Sequence, residues 1–428
     1  MIKKTKSILL NEYVFSVFTK MISIMLGMIQ SILIARYLGA ELKGVNAYIS
    51  SVVSVGSIII TFGIHQAYPY FRQKYGKEKI YNEYLSLVLY LFSAYLILGT
   101  IITLIFPCSL QLKAIIILIP ILGYSNVVAY VTLIEKPNAR NGYWTLVSLL
   151  DIVYVTLLLI FMKRNFFWSV SILLFSDLVK GIIYTFVLKF KLKINKSQIK
   201  LLFKLMHFGF FPMIALLMTI LNYRIDVIML HHYSNITDAM VGVYSIGLSL
   251  SDKIALIPDT LKGVLVSKLA KGADEHEVAK VSRMGMWISV LISIIMFLIG
   301  KPFISIFYGK EFIDAFWIIV ITAIGTISIV YFKMIGQYNI INKKQKLNVL
   351  MLSIAIVVDV VFNLILIPIW GIVGAAIATT IGNIACCIVF MIYFCKTTQI
   401  RLGEMMLPQK NDIKIIRKMF KKNNPSKQ

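Results

Sequence analysis

The chain reads as an all-α integral membrane protein of about twelve transmembrane helices, arranged as two six-helix lobes around a central cavity. Three observations predict this. The 428 residues are 59% hydrophobic and only 15% charged, with a mean hydropathy of +0.82. That is more apolar surface than a soluble domain can hide. Apolar runs of roughly 20 residues, the length that crosses the hydrocarbon of a bilayer, recur along the whole sequence. Most of the 44 Lys and Arg residues then fall in the termini and the even-numbered loops between those runs, the bias expected of cytoplasmic segments.

Taken in order, the first run, 13–34, carries Ser16, Lys20, Ser23, Gly27 and Gln30 on one face. The second, 45–67, repeats the pattern with Ser50, Ser54, Ser57, Thr61 and His65. In lipid such a stripe must face protein or a water-filled space. Runs 83–106, 113–134, 142–162 and 167–189 complete a first half. Runs 207–230, 240–266, 284–307, 313–341, 347–367 and 371–395 make a second. The eighth is the least apolar, with four charges, and aligns Ser245, Ser249 and Lys253; the tenth is overlong. All five tryptophans, Trp144, Trp168, Trp287, Trp317 and Trp370, lie within a few residues of a run end, as an interfacial belt requires.

These spans divide the chain into an N-terminal lobe, 1–190, a basic amphipathic cytoplasmic linker, 191–206, a C-terminal lobe, 207–395, and a basic cytoplasmic tail, 396–428. The linker and the tail, with Ile413, Ile416 and Phe420 on one face, fit helices lying on an anionic leaflet. Six spans per half give both halves the same orientation, so an internal repeat would be parallel. Lys43-Gly-Val-Asn-Ala-Tyr48 and Val241-Gly-Val-Tyr244 each open the second helix of a half. Met1–Ser7 is basic, but the run behind it is a full span rather than the core of a cleavable signal. The net charge of +25 is then topological, and nucleic acid is not an expected partner. The four cysteines sit in or beside apolar runs without metal-ligand spacing, and no cofactor is expected.

Charges inside spans are costly, at least about 2.5–3.5 kcal/mol each at the centre of a helix. Asp177 with Lys180, and Asp259 with Lys262, are three apart and can pair along their own helices. Lys20, Arg224, Lys253 and Lys333 lack such a neighbour. With Gln30 and Ser249 they are expected to line a cavity suited to phosphate, which Arg binds bidentately and Lys as a point charge. Asp226, Asp252 and Asp359 could balance these cations or serve as a proton or sodium site.

Three segments resemble one family. Ala35-Arg-Tyr-Leu-Gly-Ala-Glu-Leu-Lys-Gly44 is similar to its arginine–leucine–glycine signature after the first span. Arg224-Ile-Asp226 followed by Val241-Gly-Val-Tyr244 resembles its start of the second half. Asn339-Ile-Ile-Asn-Lys-Lys344 and Asn363 to Thr379, containing Ile367-Pro368-Ile-Trp-Gly371-Ile-Val-Gly374, are the most specific match. The chain thus resembles the O-antigen- and capsule-type polysaccharide flippases, in a superfamily that also holds multidrug exporters and peptidoglycan-precursor flippases. The resemblance implies transport, not catalysis. Undecaprenyl-diphosphate-linked repeat units would cross the bacterial plasma membrane, through a two-lobed fold with a cationic cavity. It implies a lipid-linked glycan as substrate, membrane lipids around it, polymerase or glycosyltransferases as partners, and H+ or Na+ coupling. Arg36, Gly39, Gly44 and Asp226 are the matched positions; Pro368, Gly371 and Gly374 shape the third motif, whose small residues permit close helix approach. The two further spans of the peptidoglycan-precursor flippases have no counterpart here, which points away from that substrate. A multidrug exporter would want anionic residues for cationic drugs. A membrane-embedded glycan polymerase or ligase would want a large outer loop, and the sequence has no HExxH, paired-carboxylate cluster or nucleotide-binding loop.

Overall fold

The computed structural model describes residues 2–193, 197–269 and 272–409, with side chains from residue 22 onward except 197, 257, 264 and 267. The described residues are helical without strands, as expected where backbone groups must be satisfied inside hydrocarbon. The helices are α1 Ile2–Thr61, α2 Ile64–Tyr75, α3 Lys77–Ile105, α4 Leu110–Glu135, α5 Pro137–Phe161, α6 Phe166–Leu188, α7 Ser197–Leu230, α8 Asp238–Asp252, α9 Leu256–Leu269, α10 Glu275–Phe303, α11 Ala315–Ile341, α12 Gln345–Thr398 and α13 Leu402–Met406. Among the described residues, nine stretches are long and apolar enough to cross a membrane. The first and last of these each contain a glycine turn joining two crossings, and α8 with α9 supplies one more. Nine plus two plus one restores the expected twelve.

Both turns are visible in the backbone. α1 breaks at Gly39, with φ 69° and ψ 177°, a region open to glycine at no steric cost. Its two arms then lie side by side, since Gln30 and Ile34 line the same cavity as Ser50, Val53 and Ser54. α12 breaks at Gly371, with φ 56° and ψ −131°. There the arms run back along each other: Gly374 meets the Leu366 carbonyl, and a Cβ on Gly382 would lie 2.7 Å from the Asp359 Cβ. Asp359 is 12 residues before the turn and Gly382 is 11 after it, the register of an antiparallel hairpin.

Two spans depart from the expected runs. The eighth divides, with a 3-10 turn at Lys253–Ala255 between α8 and α9. Pro258 lacks the N–H that would bond the Ile254 carbonyl and its ring crowds that group, so the α-helix yields there. The second, read as unbroken to 67, stops at Thr61; Phe62 and Gly63 take positive φ of 44° and 65°, and α2 starts after them. The basic linker is not a separate element in its described part: from Ser197 it is the first turns of α7. The amphipathic face at Ile413, Ile416 and Phe420 lies outside the described residues.

Contacts group the chain into two units, one of residues 1–231, 237–242 and 307–309, the other of 232–236, 243–306 and 310–428. In the first, Tyr68, Tyr84, Phe92, Val127, Val128, Tyr184 and Leu188 form a buried centre among α2, α3, α4 and α6. α7 belongs to it: Gly63 and Gly209 touch backbone to backbone, a Cβ on Gly209 meeting the Gly63 carbonyl oxygen at 2.6 Å. In the second, Gly247 of α8 packs against Ile318 of α11, and Gly325 of α11 against Thr380 of α12. Small residues serve here because lipid gives helices no hydrophobic reason to associate, leaving close packing and hydrogen bonds to hold them. The outward faces are apolar, as at Leu104, Phe186, Phe211 and Leu298, the surface a bilayer requires.

After α12 the chain turns at Gln399, with φ 63°, and α13 docks on the second unit. Met405 is fully buried. Arg283 donates to the Glu404 carbonyl, Tyr331 to that of Met405 at 3.2 Å and Trp287 to that of Met406 at 3.0 Å. Those donors satisfy carbonyls that a short helix leaves open. The beginning of the tail is therefore packed on the second unit through Met405, with Leu402, Met406 and Leu407 exposed.

Candidate functional site

In the first unit the polar stripes of the first two spans converge. A cavity of about 220 Å³ is lined by Gln30 and by Ser50 and Ser54 from the two arms of α1, and by Ser176 and Asp177 of α6. α5 adds Asp151 beside it: Oδ2 accepts from Gln30 Nε2 at 3.2 Å and from Ser176 Oγ at 2.9 Å. Ser54 returns its own proton to the Ser50 carbonyl at 2.6 Å, so its oxygen still accepts. Asp177 pairs with Lys180 at 2.8 Å along α6, as the three-residue spacing predicts. Asn126 of α4 lies at 3.5 Å from the same ammonium.

Arg36 and the glycines of the first motif act on the backbone. Arg36 Nε donates to the Phe307 carbonyl at 2.8 Å, beyond the turn that Gly39 makes. Gly44 and Gly242 form a crossing. A Cβ on Gly44 would overlap the Asp238 carbonyl and come within 2.9 Å of Gly242 N; one on Gly242 would overlap the Ala40 carbonyl and come within 3.0 Å of Gly44 N. The contact is reciprocal, each glycine meeting the carbonyl four residues before the other. Beside it Tyr48 stacks on His231 at 3.8 Å, and His231 Nδ1 lies 2.9 Å from Asp238 Oδ1. Tyr48 closes a quoted segment, whereas His231 and Asp238 belong to none and are marked in the sequence only by their nearness to Val241-Gly-Val-Tyr244.

Of the cations expected to line a cavity, Arg224 belongs to the first unit. It is exposed and makes no ion pair among the described residues. Asp226 is buried, its Oδ1 accepting the Val227 N–H at 2.8 Å, so the two do point apart. The Lys20 side chain lies outside the described residues.

In the second unit Ser249 is half-buried on α8, and Lys253 opens the 3-10 turn, half-buried and without an ion pair among the described residues. Its neighbour Asp252 is exposed. Lys333 corrects the expectation that it lacks a partner: its Nζ is 3.0 Å from Asp259 of α9. Asp259 was expected to pair with Lys262 on its own helix. The packing of α9 on α11 brings a cation from another helix instead, leaving Lys262 without it. Asp359 is buried in the first arm of α12, where Asn363 Nδ2 donates to its Oδ1 at 3.1 Å. Tyr244 and Thr379, the last residues of two quoted segments, share a hydrogen bond at 3.2 Å, and Pro368, Gly371 and Gly374 build the hairpin. The third motif is thus architectural.

A buried ion-pair cluster lies at the other end of the first unit. Glu135, 1% exposed at its side chain, is held by Arg72, by Lys77 at 2.7 Å and by the Tyr68 hydroxyl at 2.7 Å. It ties the ends of α2, α3 and α4 and is fully satisfied. Among the described residues no group of three or more His, Cys, Asp or Glu is placed to hold a metal.

The family described as polysaccharide biosynthesis protein matches residues 9–256. None of the curated proteins matches the chain by sequence. Among solved structures, the lipid II flippase MurJ in an inward closed conformation is similar, with a TM-score of 0.73 and 15% identity over 97% of this chain and 94% of that one. An inward-facing multidrug resistance transporter of the MATE family of the MOP superfamily gives a TM-score of 0.64 and 13% identity over 90% and 98%. The Vibrio cholerae MATE transporter VcmN in its bent form gives 0.54 and 13% over 92% and 98%. At these identities the likeness is one of fold.

Proposed function

The chain belongs to the polysaccharide biosynthesis protein family, a multi-pass membrane transporter by its fold, and on that premise we propose that it is a flippase of lipid-linked glycans. It moves undecaprenyl-diphosphate-linked oligosaccharide repeat units from the cytoplasmic to the outer leaflet of a bacterial plasma membrane, for polymerisation outside. The observation that carries this reading is the family match over residues 9–256, more than half of the chain. Both termini lie in the cytoplasm, as the distribution of Lys and Arg implies.

The cationic side chains support the substrate class. Arg224 and Lys253, like Lys262, are spanning-segment cations that are exposed or half-buried without a carboxylate partner among the described residues. Each can contribute donors to a diphosphate. Arg36 is spent on a backbone carbonyl and Lys333 on Asp259, so they serve the frame. The polar lining of Gln30, Ser50, Ser54 and Ser249 suits sugar hydroxyls. A proton or sodium gradient drives the cycle, with glycan polymerase or glycosyltransferases acting on either side of it. The cations Arg224 and Lys253, without a carboxylate partner among the described residues, speak against a multidrug exporter of the same fold.

The reading is tested in cells depleted of the protein, by locating the accumulating undecaprenyl-diphosphate-linked glycan. Accumulation in the cytoplasmic leaflet with loss of surface polysaccharide is the expected result, and mass identifies the sugar. Unpolymerised units in the outer leaflet would instead place the protein after flipping.

A further inference from the structure

Asp151 stands near the middle of α5, only 5% exposed. Its hydrogen bonds are one-sided. Oδ2 accepts from Gln30 and Ser176, whereas Oδ1 is buried and has no partner. Among the described residues, the stretches of α1, α4 and α6 around it bring no unpaired charge, and the side chain of Lys20, about three turns before Gln30 on α1, lies outside them. On α6, Asp177 and Lys180 cancel one another at 2.8 Å. Residues 22–35 of α1 and 114–134 of α4 contain no Asp, Glu, Lys or Arg. Of the tyrosine hydroxyls nearby, Tyr124 bonds Thr185 at 2.7 Å and Tyr154 bonds Ser171 at 2.8 Å, while Tyr37, packed with Tyr154 and Val155, has a buried hydroxyl without a partner. The next charge along α5 is Arg140, three turns away at the helix end. Ionised, Asp151 would leave one uncompensated negative charge at mid-depth, an arrangement that proteins avoid by neutralising the group.

We propose that Asp151 is a proton-binding site, reached through the cavity that Gln30, Ser50, Ser54 and Ser176 line. A proton from water entering that cavity forms an O–H bond at Oδ1 and leaves a neutral acid; release to water is the same step in reverse, with no other bond changed. Gln30 and Ser176 hold Oδ2 in either state and leave Oδ1 to carry the proton. Intramembrane carboxyls in such settings act as proton relays. The site lies wholly within the first unit, and differs from the Asp226, Asp252 and Asp359 positions that the spacing of the sequence suggested. It makes the proton, rather than sodium, the driving ion. Only this coupling role rests on the transporter reading; the protonation of Asp151 does not.

The test is infrared difference spectroscopy on the purified full-length protein in lipid nanodiscs near neutral pH. Wild type minus Asp151→Asn should show the carbonyl stretch of a protonated carboxylic acid, shifted in D2O and unchanged when sodium replaces choline. Absence of that band, or its persistence in Asp151→Asn, overturns the proposal, and its loss on adding sodium overturns it in favour of a sodium site. Should Asp151→Asn fail to fold, Gln30→Ala serves, since removing a donor to Oδ2 must shift the band; an unshifted band in folded Gln30→Ala also overturns it. In proteoliposomes given a lipid-linked glycan, folded Asp151→Asn should lose dependence on a pH gradient while exchange at equal pH survives. No transport in wild type would instead count against the flippase reading, leaving the infrared result standing.

Discussion

Lys333 and Asp259 are 74 positions apart, yet their side chains meet at 3.0 Å. Spacing within one helix pointed to Lys262 as the partner, because three residues is a geometry a single helix offers. Asp177 and Lys180 obey that rule, since no cation from another helix competes there. The difference separates two classes of spanning cation. Arg224→Ala and Lys253→Ala should reduce glycan export at least tenfold while the protein inserts and unfolds at nearly the wild-type temperature. Arg224→Lys should be partly active, because charge survives and bidentate geometry does not. Lys333→Ala should do the opposite, costing about 1.5–3 kcal/mol of stability through its lost charged hydrogen bond, with export falling only as folded protein falls. Export assays beside thermal unfolding in detergent distinguish the two, and normal export in both Arg224→Ala and Lys253→Ala removes the cationic-site reading. Asp151 lies inside the fifth apolar run yet carries no motif or helical-spacing partner that marks it, and its isolation depends on what α1, α4 and α6 fail to bring.

Glycine decides geometry at the level of elements. Gly39 and Gly371 turn a helix back on itself, and both lie in segments recognisable beforehand as motifs. Gly44 and Gly242 are different, because their conformation is ordinary and their value lies in contact. An added methyl at either overlaps backbone of the facing helix, which cannot rotate away. Gly44→Ala should therefore separate the two helices, lowering the unfolding temperature by several degrees and abolishing export. Gly27→Ala, on a face with nothing within 4 Å, should leave both unchanged; equal behaviour of the two variants would show that the crossing is not tight. The interrupted eighth span is a second lesson at this scale. Its charges marked it as weak, and Pro258 explains where it yields, but composition alone does not say that the yielding segment is three residues of 3-10 helix.

Across the whole molecule, the proposed orientation rests on the Lys and Arg bias. In a cysteine-free background, single cysteines at Ser109 and Arg164 should react with an impermeant thiol reagent applied outside intact cells. Those at Lys77 and Lys344 should react only after permeabilisation; the reverse pattern would invert the orientation. The number of spans, the two hairpin turns and the family were readable from residues along the chain, because hydrocarbon thickness, glycine conformation and the cost of moving charge act locally on each segment. The partners of Lys333, Asp259 and Asp151, the Gly44–Gly242 crossing and the docking of α13 were not. Each depends on which helix faces which, and lipid, being as apolar as the side chains themselves, leaves that choice to packing between residues far apart in the chain.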